Sequence, residues 1–323
     1  MRYFSFLSGH FTYTLLHRYS SNWRKPWTRL AVGHFINREI RLSHYLITAI
    51  ALIAFAANSL LCRLALAQGA IDAGSFTAIR LISGALTLLV IHLLLQRKER
   101  VSLTDNKSLL FLGGVALFIY AITFSFAYLE LATGTGALLL FGSVQLTMIS
   151  VHLLRGNRLN KFEWLGLITA MVGFILLMLP SATAPDLWSA VLMVVSGIAW
   201  AAFSMLGQRA SSPRIGTTQG FISAAVIILL CSPWLIELDS ITAAGALWAT
   251  VSGVVASAMG YVVWYSAIKS LSLLQASVAQ LCVPVIALFA GVALLGEQLN
   301  TVLLVSSALI LGGIALLFIR KNG

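Results

Sequence analysis

Residues 153–160 read "LLRGNRLN" and residues 294–300 read "LLGEQLN", so Gly156, Leu159 and Asn160 recur 140 positions later as Gly296, Leu299 and Asn300. The same offset sets Ala127 against Ala267 and Gly173 against Gly313. A turn repeated at that spacing, with matching positions on both sides, marks a chain built from two related halves.

Composition decides what the halves are made of. With 59% hydrophobic and 10% charged residues and a mean hydropathy of +0.93, the chain has too little polar surface for a water-soluble globule. A bilayer core needs about 20 apolar residues per helix. Stretches of that kind run at 45–67, 75–95, 109–129, 134–154, 162–179, 187–206, 217–236, 244–268, 272–295 and 302–319. The expected fold is an all-α integral membrane protein with ten transmembrane helices, five in each half. An odd number per half makes the second half enter the membrane from the opposite side, the inverted-repeat plan of secondary transporters. The halves divide at residues 44–180 and 181–323. The connections between helices are short, so function must sit within the bundle.

Charge sets the orientation. With a cytoplasmic amino terminus, 19 of the 21 basic residues fall on one side, and Arg63 and Arg80 lie inside helices. The opposite loops carry Asp72, Glu130, Asp186, Glu237, Asp239 and Glu297 and no Lys or Arg. The positive-inside rule then predicts both termini in the cytoplasm. Basic residues that punctuate helices in this way do not form a nucleic-acid surface, despite a formal charge of +11.

Residues 1–43 form a separate basic extension, with seven basic residues, Glu39 and no continuous apolar run. It is not a secretory signal peptide. It reads as an organellar targeting segment, as a membrane-surface segment held by anionic lipids, or as translated sequence upstream of a later start. Cys62, Cys231 and Cys282 all fall in predicted helices and read as packing residues. No Cys or His spacing fits a metal site, so no metal or cofactor is expected. His92 and His152, toward the cytoplasmic helix ends, read as solvated groups rather than proton relays.

The segment 283–318, "VPVIALFAGVALLGEQLNTVLLVSSALILGGIALLF", resembles the EamA-type transporters of the drug/metabolite transporter superfamily. Such a chain has a Pro, an apolar run, a Gly-Glu-x-Leu turn and a closing helix with glycine. "FTAIRLISGALTLL" (76–89) is similar to the family's second-helix pattern. "FAANSLLCRLAL" (55–66) is similar to its first, with Arg63 where Lys is common. The resemblance covers residues 45–319. Val144 stands where the second half has Pro284, and Asn157 where it has Glu297, so the first half has drifted from the shared pattern. The resemblance implies a carrier that moves small metabolites such as amino acids outward.

Ionisable groups inside a bilayer cost roughly 2.5–3.5 kcal/mol each and are functional candidates for that reason. Arg63 and Arg80 fall at similar depth near the outer side, where a pair of guanidinium groups would attract a carboxylate or phosphate. The structural alternative is snorkelling to the interface or pairing with Glu130. All ten carboxylates sit in loops or at helix ends, which disfavours a cation exchanger and favours a neutral, zwitterionic or anionic solute. Asn58, Tyr120, Thr123, Gln145, Tyr261, Trp264, Tyr265 and Gln280 are the polar groups able to line a substrate pathway. Singly, each reads more readily as interhelical bonding or interfacial packing. Pro284 is expected to kink helix nine. Glu297 is expected to position the start of helix ten through that helix's dipole, with a gating contact as the alternative.

The function so implied is a secondary transporter in the inner (plasma) membrane, working by alternating access. Its expected partners are a small-molecule substrate and the lipid bilayer. Rivals are a broader drug/metabolite efflux carrier and a passive channel. A membrane enzyme would need acid, base or nucleophile at one depth, and the sequence offers no such cluster. Oligomeric state has no signature here.

Overall fold

The computed structural model describes residues 26–67, 69–96, 107–156, 158–178, 185–207, 212–268 and 279–318. The described side chains begin at Leu46. Residues 1–25 of the basic extension lie outside the described residues, as do 26–45 beyond their helical backbone. The chain divides into two units, Met1–Leu46 and Ile47–Gly323, and the second holds the helical bundle.

Helices follow one another along the chain: α1 (Pro26–Ala67), α2 (Ala73–Gln96), α3 (Lys107–Ala127), α4 (Thr133–Leu154) and α5 (Lys161–Met178) in the first half. The second half has α6 (Leu187–Gly207), α7 (Pro213–Leu235), α8, α9 (Cys282–Leu295) and α10 (Thr301–Phe318). Helix α8 is continuous but composite, made of Ala243–Val251, a π-helical stretch Ser252–Met259, and Gly260–Ile268. Each helix falls on one of the expected apolar stretches. Six described segments are long and apolar enough to cross a membrane, from Leu46–Ala67 to Ala243–Trp264; three more, Phe111–Ala127, Cys282–Leu295 and Thr301–Leu316, are shorter.

Local chemistry sets the helix starts. Asp72 accepts from Ser75 N at α2 and Asp186 from Ser189 N at α6. Ser212 with Pro213 opens α7, and Thr242 opens α8. These short polar side chains satisfy amides that the first helical turn leaves unpaired.

Outward faces are apolar. On α5 the exposed residues Phe162, Leu165, Ile168, Val172 and Ile175 form one stripe at helical spacing. Such a face suits hydrocarbon rather than water. Inward positions hold Ala, Leu and aromatic residues together with buried polar groups.

The repeat is visible in the packing. Gly156 and Gly296 both take left-handed backbone angles (φ 83° and 66°), which favour glycine at a helix end. Asn160 then caps α5 by accepting from Phe162 N and Glu163 N, and Asn300 caps α10 by accepting from Leu303 N. The two closing helices also pack reciprocally: Gly173 lies against Ile310, and Gly313 against Ala170. Residue 310 is the repeat equivalent of 170, so the same contact occurs twice with its partners exchanged. α2 likewise packs on α7 and α4 on α9, each helix meeting its own counterpart.

Pro284 stands in the first turn of Cys282–Leu295, directly after an interruption of the helix at Leu281. Residues 279–280 are helical and Leu281 keeps right-handed helical angles (φ −66°, ψ −17°), so the helical path continues while the hydrogen-bond ladder is interrupted next to the proline, which has no N–H to give.

Candidate functional site

Arg80, on α2, is 1% exposed. Its Nε donates to Ser257 Oγ (3.0 Å), and its Nη2 donates to Tyr120 Oη (2.9 Å) and Tyr261 Oη (3.2 Å). Its guanidinium carbon lies 5.1 Å from the ring centres of both Tyr120 and Phe124, within cation–π range. Asn58, on α1, donates to Tyr120 Oη (3.3 Å), while its Oδ1 accepts from Ser252 Oγ (2.6 Å) and Ser257 Oγ (3.5 Å). Tyr261 donates to Tyr120 Oη at 3.3 Å. One hydrogen-bonded cluster thus draws Asn58, Arg80 and Tyr120 from the first half and Ser252, Ser257 and Tyr261 from the second.

The π-helical stretch of α8 explains the two serines. Residues five apart, such as Ser252 and Ser257, diverge around an α-helix, whereas i→i+5 bonding brings them toward one face. Gly253 lets this stretch press on α2: a Cβ there would run into Ser83 Oγ and the Arg80 carbonyl.

Beside the cluster lies a narrow cavity with room for about one water molecule. Asn58, Ser59, Tyr120 and Tyr261 give it polar walls; Phe55, Phe124, Leu140, Phe141 and Trp200 give it apolar ones. Trp200 packs on both phenols, 4.9 Å centre to centre from Tyr120 and 4.7 Å from Tyr261.

Arg63 does not join Arg80. At the last turns of α1 it donates through Nη1 to the carbonyls of Tyr128 (3.0 Å) and Leu129 (2.7 Å), just past the end of α3, with Glu297 4.0 Å away. The two arginines expected as a pair therefore do separate work: one terminates a helix and one is buried in the cluster. Glu297 caps a different helix from the one expected. Its carboxylate accepts from Thr133 N (2.8 and 3.0 Å) and Thr133 Oγ1 (2.7 Å), at the amino terminus of α4, while Asn300 serves α10. A carboxylate at a helix amino terminus is favoured by unpaired amides and by the helix dipole. Gly291 makes room for it, since a Cβ at that position would strike Glu297 Oε2.

A second tie joins the halves at the same end of the bundle. Ala70 O accepts from Thr242 N (3.0 Å) and Thr242 Oγ1 (2.7 Å), and Asp72 Oδ2 accepts from Ser240 Oγ (2.6 Å). Partial burial opposes ionisation of Asp72, but hydrogen bonds from Ser240 and Ser75 outweigh it and hold the carboxyl below its ordinary range.

Of the remaining candidates, Trp264 packs edge-on to Phe55 (5.6 Å), and Thr123 bonds back to Ile119 O within its own helix. Gln145 is buried with both amide atoms unpartnered among the described residues, and Gln280 Oε1 is likewise unpartnered. The side chains of Tyr265 and His152 lie outside the described residues. His92 is buried rather than solvated. Cys62 is buried, but Cys282 is exposed, so packing does not describe all three cysteines. Among the described residues no group of His, Cys, Asp or Glu could hold a metal.

The model of the EamA-like transporter family matches residues 42–179 and again 187–319, once for each half. The chain belongs to the EamA-like transporter family. An uncharacterized protein of Pseudomonas aeruginosa is 45% identical to this EamA-like chain over 281 residues, 86% of this chain and 95% of that one. The inner membrane transporter YedA of Escherichia coli is 25% identical over 57% of this chain and 62% of its own length. The transporter YoaV of Bacillus subtilis is 23% identical over 74% and 85%. A solved crystal structure, 19% identical, superposes with a TM-score of 0.62 over 85% of this chain and 96% of that one, and so shares the fold. The EamA-like chain is a multi-pass membrane protein of a transporter family, with its buried polar cluster at the junction of the two repeats.

Proposed function

We propose that this protein is a secondary carrier of the inner (plasma) membrane that exports a small polar metabolite, such as an amino acid or related compound. Its ten helices span the bilayer as two inverted five-helix repeats with both termini in the cytoplasm, and the repeats rock about the central cavity. It is a carrier and not an enzyme. The observation that supports this reading most is the cluster itself: Arg80, Tyr120 and Asn58 from one half meet Ser252, Ser257 and Tyr261 from the other beside one cavity. A site assembled from both repeats changes its exposure when the repeats move against each other.

The Glu297–Thr133 and Asp72–Ser240 ties join the halves at one end. They act as the gate on the outer side, released when that side opens, and the break at Leu281 before Pro284 is the hinge of α9. Arg63 braces this gate from the end of α3 and does not meet the solute. The aromatic walls, Phe55, Phe141 and Trp200, favour as a second reading a broader efflux carrier for solutes with apolar bodies. A comparison of culture medium from cells overexpressing and lacking the gene tests the assignment. Accumulation of a small polar metabolite outside the overexpressing cells is expected; identical media would overturn it.

A further inference from the structure

We infer that the cavity wall formed by Tyr120 and Tyr261, with Arg80 behind it, is a carboxylate-binding site for a solute with an apolar body. This rests on the carrier reading for its role as a transport site, though binding itself does not depend on it.

Donors and acceptors in the cluster do not balance. A guanidinium carries five N–H donors and is always charged. In Arg80, Nε and Nη2 are used by Ser257, Tyr120 and Tyr261, and Nη1 has no partner among the described residues. Tyr120 Oη lies within donor reach of Arg80, Asn58 and Tyr261, and one of the two phenolic hydrogens is spent on the Tyr120–Tyr261 contact, which leaves the other without an acceptor in the cluster. The acceptor Asn58 Oδ1 is already taken by Ser252 and Ser257. Among the described residues Arg80 makes no ion pair. A buried positive charge without a counter-ion is costly, and the cluster has more donors than acceptors. Tyr120 and Tyr261 stand at the cavity wall with Arg80 behind them, and what the cluster lacks is an anionic acceptor.

The opposite walls choose the rest of the ligand. Phe55, Phe141 and Trp200 offer aromatic surface and no carboxylate, which suits an apolar body. The cavity is narrow in this conformation, and a ligand of that kind enters as the repeats part.

The test is calorimetric titration of the full chain in lipid nanodiscs with 3-phenylpropionate, phenylalanine, phenylalaninamide and 3-phenylpropan-1-ol. The carboxylates are expected to bind at least about tenfold more tightly than the amide and alcohol, as a charge-assisted hydrogen bond requires. In Tyr120→Phe and Tyr261→Phe the preference of carboxylate over alcohol is expected to fall by about tenfold each, and in Arg80→Gln to vanish. The tyrosine variants keep their rings and so report even where Arg80→Gln fails to fold. Equal binding of alcohol and carboxylate, unchanged preference in both tyrosine variants, absence of binding by every probe, or inorganic phosphate competing as well as 3-phenylpropionate would each overturn the proposal. Flux in proteoliposomes separates the two readings: preference without flux overturns the carrier and leaves the site standing, and flux without preference does the reverse.

Discussion

Replacing Glu297 by Ala should open the end of the bundle that the Glu297–Thr133 contact closes. The carboxylate accepts from a backbone amide and a hydroxyl at 2.7–3.0 Å and is 14% exposed on its side chain. Hydrogen bonds to a charged group contribute roughly 1.5–3 kcal/mol each, and water reaching an opened end recovers part of that. The Arg63 pair, at 4.0 Å and partly exposed, adds under about 1 kcal/mol. A net loss of about 2–3 kcal/mol from the closed arrangement shifts the open fraction by about 30- to 150-fold. Ser59 lines the cavity and is 1% exposed, so a cysteine there reports opening. In a background lacking Cys62, Cys231 and Cys282, Ser59→Cys should react with an impermeant maleimide at least about tenfold faster when Glu297→Ala is added, and only from the side facing that end. An unchanged rate, or a rise from the opposite side alone, would refute the gating role.

Other substitutions separate structure from transport. Arg63→Gln loses two bonds to the carbonyls past α3 and should cost about 1–3 kcal/mol of stability by thermal denaturation in detergent, with ligand affinity unchanged. Asn160→Ala and Asn300→Ala each remove a helix cap and should each cost about 1 kcal/mol, additively, by the same measurement. The depressed Asp72 carboxyl makes its contribution present at neutral pH and lost as pH falls through the ordinary carboxylate range, about 4, and below it. The stability difference between wild type and Asp72→Ala should therefore shrink on acidification. Gly253→Ala forces a Cβ onto Ser83 and Arg80 O and should cost about 1–3 kcal/mol while loosening the cluster, read as weaker binding of 3-phenylpropionate.

Much of the helix register was legible because apolar length and charge placement are local properties of the chain. The repeat was legible for the same reason: Gly156 and Gly296 need the same backbone angles, and Asn160 and Asn300 cap the same turn. Arg80, Asn58, Tyr120 and Tyr261 were visible as polar residues in apolar helices, and the structure brings those four together. What the sequence could not convey was which distant groups meet. Arg63 and Arg80 read in the sequence as a pair at one depth, yet one turns to carbonyl groups past α3 and the other to phenols. Glu297 has a helix start four residues ahead of it but caps one 164 residues back. Ser252 and Ser257 are not legible as site residues because their five-residue spacing fits no α-helical face, and the π-helical stretch that aligns them has no periodic signal of its own.

Alternating access by two repeats is the central claim, and counterflow tests it most directly. Proteoliposomes holding the purified full chain and preloaded with unlabelled 3-phenylpropionate should take up labelled 3-phenylpropionate faster than empty ones, with a rate that saturates. Uptake that rises linearly with concentration and ignores the load on the far side would contradict the account and describe a channel.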